Sequence, residues 1–136
     1  MPDTYDQWVV LEITNSLGSP LKIQNASLSW GKFHKNGDRD YEISPEEVDK
    51  IVIPAGSEHS VSSCGRSHSP SGTEGTIDLY DDTTKVCTLY WNCPWGSSAN
   101  NFEVQDVNQG YIVTHGPWNA VAGPLGNIKI KVASNE

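Results

Sequence analysis

Across Gln7 to Thr14, Val9, Leu11 and Ile13 fall on one face and Trp8, Val10 and Glu12 on the other, the period-two pattern of a half-buried strand. After a turn over Asn15 to Pro20, Leu21 and Ile23 alternate in one phase while Ala26, Leu28 and Trp30 alternate in the opposite phase. That slip predicts a β-bulge or bend near Gln24-Asn25. Ile51 to Pro54 and His59 to Ser63 read as two short strands around a turn at Gly56. Thr76 to Tyr80 and Lys85 to Trp91, joined by Asp81-Asp82-Thr83-Thr84, predict an antiparallel hairpin. Asn101 to Val107 and Tyr111 to His115 are two further strands. Gly126 to Ala133 closes the pattern, with Ile128, Ile130 and Val132 inward and Lys129 and Lys131 outward. Phe33 to Glu47 is polar, carries the turn signal Asn36-Gly37, and reads as a long surface loop. No stretch sustains apolar spacing at three and four, so helix is nearly absent. About nine short strands, punctuated by Gly and Pro, predict an all-β fold, a single-domain antiparallel β-sandwich over residues 1–136.

The aromatic residues break this even pattern. Tyr90-Trp91-Asn92-Cys93-Pro94-Trp95-Gly96 carries two of the five tryptophans. Pro94 cannot donate to a sheet ladder and holds Cys93 extended, so Trp95 is expected on a stiff, exposed turn past the strand end. Trp91 lies in strand register, where core packing and ligand contact both remain open. Trp30-Gly31 and Pro117-Trp118 repeat the arrangement of an indole beside Gly or Pro at a strand end, and Trp8 lies near the start of the first strand. Strand ends of a sandwich gather at two poles, so several of these rings are expected to share one. Such a patch suits the headgroup level of a lipid surface or an ammonium cation caged between ring faces.

Composition narrows the partners. The formal net charge of −8 argues against nucleic acid and against electrostatic anchoring to anionic lipid. A membrane contact would work through rings and headgroup chemistry. The start of the chain lacks the basic and apolar segments of a signal peptide, so synthesis in the cytoplasm, non-classical release and peripheral binding to target cells are expected. Cys64, Cys87 and Cys93 are an odd number and fit a reduced compartment, although a bridge between Cys64 and Cys93 stays open.

Other chemistry is weaker. Cys64 and His68 invite a nucleophile reading, but closeness in sequence is not hydrogen-bond reach and no thiol-enzyme signature surrounds them. Asp38 and Asp40 lack the spacing of an EF-hand and read as a solvated face. No spacing of histidines suggests a metal site, and no cofactor is expected. A carbohydrate-binding module is the alternative function, because aromatic platforms beside carboxylates also suit pyranose rings.

Four segments carry a resemblance: Trp30-Gly31-Lys32, Cys64-Gly65-Arg66-Ser67, Gly75-Thr76-Ile77-Asp78-Leu79 and Tyr90 to Gly96. In this order and spacing the chain, from about Trp8 to Val132, resembles the aegerolysin family. The resemblance implies a non-enzymatic β-sandwich that binds membrane sphingolipids, typically ceramide phosphoethanolamine or sphingomyelin with cholesterol. It also implies a possible partner, a larger protein with a membrane-attack-complex/perforin domain, and a pore formed by the pair. Carried over by position, the lipid contacts fall on Trp30 and Trp95, with Trp8 and Trp91 in the same aromatic group and Tyr90 at the rim. Ser67, Ser71 or Glu74 would add polar contacts. Some fungal members have an acid immediately before the glycine matching Gly72, where this chain has Ser71, a departure that bears on headgroup and cholesterol preference.

Overall fold

The computed structural model describes residues 7–66, 71–96 and 98–135. Among these the elements run β1 (Trp8–Asn15), β2 (Leu21–Trp30), β3 (Lys32–Lys35), β4 (Asp38–Ile43), α1 (Pro45–Val48), β5 (Val52–Ile53), β6 (Glu58–Cys64), β7 (Thr73–Asp81), β8 (Thr84–Cys93), β9 (Asn101–Gln105), β10 (Tyr111–His115) and β11 (Gly126–Ser134). Two sheets result, one of order β10-β11-β1-β6-β3-β4 and one of order β5-β2-β7-β8-β9. The pairings are antiparallel except β1 with β11, which run parallel from Val9↔Gly126 to Asn15↔Val132. Period-two patterning places a strand's faces but not its partner's direction, so this parallel pair could not be read from alternation. β9 and β10, adjacent in the chain, part company and join different sheets.

Inward residues of both sheets make one core. Val9, Leu11 and Ile13 of β1 and Ile128, Ile130 and Val132 of β11 meet Leu21, Ile23, Ile77, Leu79 and Leu89 of the second sheet. Near one pole Trp91 (β8) packs edge-on against Phe33 (β3), ring centroids 5.9 Å apart. A directional hydrogen-bond chain runs beside this pair. The Trp91 indole N–H donates to Thr73 Oγ1 (3.1 Å), and the Ser63 hydroxyl donates to the Lys32 carbonyl (2.8 Å). Since Ser63 spends its one proton there, the 2.5 Å contact between Ser63 Oγ and Thr73 Oγ1 is made with the Thr73 proton. β8, β7, β6 and β3, and with them both sheets, are thereby linked.

The expected loop over Phe33 to Glu47 is corrected. Its first part is the hairpin β3–β4, turning at Gly37 with φ +82°, and its end is a one-turn helix. Ser44 caps α1 in a reciprocal capping box with Glu47, and Pro45 occupies the first helical turn. Many of the polar residues that suggested a loop lie on β4, an edge strand, while the fully buried Phe33 ties the hairpin to the core. The slip in β2 is a bulge as anticipated: register shifts between Gln24 and Ser27, with Asn25 at φ 57°.

Replacing Thr73 with valine keeps its volume but strips Trp91 Nε1 and Ser63 Oγ of their partner. We expect Thr73→Val to lower unfolding free energy by about 1–3 kcal/mol in urea titration. Adding Trp91→Phe, which removes the orphaned donor, should then cost less than the same change made in the wild type.

Candidate functional site

At the end of β2 the register shifts a second time, between Leu28 and Trp30. Leu28 pairs with Gly75, whose position points into the core, but Trp30 pairs with Glu74, which points out. The extra residue therefore turns Trp30 from the phase of Leu28 to the outer face, where it is 63% exposed. Gly31 follows at φ +87°, and a Cβ there would lie 2.6 Å from the Cys64 carbonyl oxygen and 2.9 Å from that of Gly72. A Cβ on Gly72 would meet the Cys93 carbonyl oxygen, so glycine alone allows the chain entering β7 to lie against the end of β8.

These close approaches leave a groove of about 670 Å³. Trp30 and Trp95 stand on it, with Glu74, Asn92, Ser71 and Arg66 as its polar lining. Trp95 is 38% exposed just past Pro94, as the sequence suggests. Tyr90 sits behind Glu74 and donates to its Oε2 at 2.6 Å. Burial first, and then this bond and the negative charge of Glu74, push the Tyr90 phenol up to about 12. Arg66 donates both guanidinium nitrogens to Glu42, at 2.9 and 3.0 Å, and holds the Glu42 carboxyl below its usual range. Both partners are exposed, so this fork orients Arg66 more than it stabilises the fold. Ser71 Oγ is buried in the groove without a hydrogen-bond partner among the described residues. A donor and acceptor so placed is available to a bound molecule.

One of the anticipated lipid contacts is corrected and a second stands apart from the groove. Trp91 is 0% exposed and lies beneath the groove, its N–H already used by Thr73, so it supports the site without touching a ligand. Trp8 is half-buried and lines a separate groove with Val10, His34 and Arg39, the Arg39 guanidinium lying 5.3 Å from the centre of its ring. Burial, with Arg39 and Lys32 nearby, holds His34 below the ordinary histidine range. Trp118 is also half-buried, against Phe102. Ser67 and His68 lie outside the described residues. Cys64, Cys87 and Cys93 are buried thiols, so the bridge left open between Cys64 and Cys93 is not formed. Burial pushes Cys87 up to about 12 and Cys93 to about 11, away from the thiolate a nucleophile needs. Among the described residues no group of three His, Cys, Asp or Glu side chains is placed to hold a metal ion.

Arg66 and Asn92 were not singled out from the sequence as contacts. Asn92 could have been found from strand parity, because it shares the outward phase of Tyr90 in β8. Arg66 gives no such signal, being in a loop.

A family model described as Aegerolysin matches residues 6–135. Asp-hemolysin of Aspergillus fumigatus is 48% identical over 129 residues, 94% of this chain and 93% of that one. Ostreolysin A6 of Pleurotus ostreatus is 36% identical over 129 residues, 93% of this chain and 94% of that one. Among solved structures, RahU in complex with a TRIS molecule superposes with a TM-score of 0.92 at 32% identity, covering 97% of this chain and 98% of that one.

The Tyr90–Glu74 pair makes a titration test. A phenol raised in the folded state adds stability that is complete below the ordinary tyrosine value of about 10 and is lost as pH climbs through about 12. In 295 nm difference titrations against Tyr90→Phe, Tyr90 should ionise near the upper value. Glu74→Gln should lower its midpoint yet leave it above 10, since burial is the larger cause.

Proposed function

The chain belongs to the aegerolysin family of non-enzymatic, lipid-binding hemolysins, and we propose that its target is the zwitterionic headgroup of a membrane sphingolipid, bound in the groove between Trp30 and Trp95. The observation that carries this reading is the pairing of two exposed indoles with opposite charges in one groove. Glu74 and the ring faces suit an ammonium, each ring contributing about 0.5–2 kcal/mol according to its desolvation. Arg66 and the Ser71 hydroxyl, without a partner among the described residues, suit a phosphate. The groove's size is that of a small-ligand site. An excess of acids elsewhere leaves nonspecific attraction to anionic lipid unfavourable, so the contact depends on headgroup fit and indole burial.

Ceramide phosphoethanolamine and sphingomyelin with cholesterol are the two proposed targets. A primary ammonium can donate hydrogen bonds to Glu74, whereas a trimethylammonium can only be caged, which favours the former. Non-classical release, peripheral binding to a target cell and recruitment of a membrane-attack-complex/perforin-domain partner complete the proposal. Among the described residues no helix is long and apolar enough to cross a membrane.

The test is co-sedimentation with phosphatidylcholine vesicles, plain or containing one of the two sphingolipid mixtures, while tryptophan emission is followed. Selective pelleting with a blue shift is expected, together with loss of at least tenfold in affinity for Trp30→Ala combined with Trp95→Ala. Equal binding by that folded double variant would reject the groove as the site. Glycan-array signal without vesicle binding would assign the groove to sugars instead.

A further inference from the structure

Residues 92–102 and 116–128 contain no Asp, Glu, Lys or Arg, in a chain that has nine basic and seventeen acidic residues. The loops within them, after β8 and before β11, meet at the pole that carries Trp30 and Trp95, and Asn100 joins them. Its backbone N–H donates to the Ala120 carbonyl at 3.1 Å. The two protons of its buried side-chain amide are shared among the carbonyls of Asn119, Val121 and Gly123 at 3.0, 2.7 and 3.0 Å, and the Cys93 thiol also reaches the Gly123 carbonyl at 3.3 Å. Asn119 reaches forward to the carbonyls of Ala122 and Pro124 at 3.1 and 2.9 Å, and its own N–H donates to that of Leu125. Every carbonyl from Asn119 to Leu125 is thus satisfied from within the protein, although this segment belongs to neither sheet.

Irregular backbone normally stays in water, because a carbonyl carried into lipid without a partner costs several kcal/mol. This loop has no such debt on its carbonyl side. At its tip Val121 is 69% exposed, flanked by Ala120 and Ala122. An apolar tip on a clamped, uncharged loop with satisfied carbonyls has the properties needed at an acyl boundary.

We propose that the 119–125 loop is a second membrane-contacting element, which seats Val121 below the headgroup level while the Trp30–Trp95 groove holds the headgroup. The proposal rests on the lipid reading above and adds to it a depth and an orientation. The loop's contact is with acyl chains, so it adds affinity without choosing between headgroups. Asn100 is its positioning residue.

The experiment attaches an NBD fluorophore to Val121→Cys, and separately to Val52→Cys in β5, beside the end of β2 far from Trp30, in the full chain. The three native thiols are buried, so brief labelling selects the introduced one. Vesicles are phosphatidylcholine with ceramide phosphoethanolamine, with and without doxyl-labelled lipid. On vesicles that pellet the protein, NBD at position 121 should shift to the blue and be quenched by doxyl chains, while NBD at position 52 stays in water. Unlabelled Val121→Asp should bind about tenfold more weakly than wild type with the same melting temperature, and Val121→Leu at least as well as wild type. Water-like emission at position 121 on a pelleted protein, or unchanged binding by Val121→Asp, would overturn the loop proposal and leave the groove standing. Failure of the wild type to pellet with any sphingolipid vesicle would instead overturn the lipid reading, and the loop proposal with it.

Discussion

The hydrogen-bond chain from Trp91 through Thr73 and Ser63 to the Lys32 carbonyl is the constraint from which the groove-bearing pole is built. Each donor in it has one direction, so reversing any link would leave the indole or the carbonyl unpaired in the core. It joins the two sheets at the level where Gly31 and Gly72 bring four chain segments into contact. A larger residue at either glycine would push apart the strands that the chain ties together. The groove floor is therefore fixed before any exposed residue is considered, and the rings above it inherit that rigidity. A preorganised surface of this kind loses little side-chain freedom on binding.

Exposure of the indoles has a different origin. Trp30 faces water because one bulge residue converts an inward phase into an outward one, and Trp95 because Pro94 ends the ladder. Both rings stand on backbone that is forced, not merely permitted, into its path. The second bulge also sets Trp30 directly across from Glu74, so one local insertion places both an aromatic face and a carboxylate in the groove.

Much of this was legible from single residues, and the misses are instructive. Val9, Leu11, Ile13 and the inward residues of β11 alternate cleanly because one face of each strand is core, and the elements followed. The β3–β4 hairpin was hidden because β4 is an edge strand with mostly polar side chains, where alternation has nothing apolar to alternate with. The parallel β1–β11 pairing was hidden because both orders of pairing use the same alternation. Trp30 was placed on the right pole for a partly incomplete reason: its phase with Leu28 suggests burial, and only the second bulge, invisible to periodicity, turns it outward. Trp91 could not be decided because strand parity gives a face, and which face is core depends on the other sheet. Trp8 is near the same strand ends but belongs to a separate groove with Arg39, since β1 lies in the other sheet from Trp30 and Trp95. Asn100 gave no signal at all; a lone asparagine in a loop reveals its role only when its acceptors are seen.

The distribution of charge bears on how the proposed contacts of indole, groove and loop would act together. Acids outnumber bases by seventeen to nine, yet the two loops at the groove-bearing pole carry none of either. The field of the whole molecule opposes approach to an anionic surface, and the uncharged loops supply no compensating attraction at long range. Contact begins only when rings reach the interface, where each indole gains from burial but alone is too weak to hold the protein. In the proposed reading a headgroup carrying both charges meets Glu74 on one side and Arg66 on the other, a match that a purely anionic or purely cationic group makes with only one of the two. Apolar contact supplies affinity that is blind to headgroup, and the acidic surface withdraws it from most membranes. On the proposed reading, what survives both conditions is a surface displaying a zwitterion, with selectivity following from the balance of the two and not from either alone.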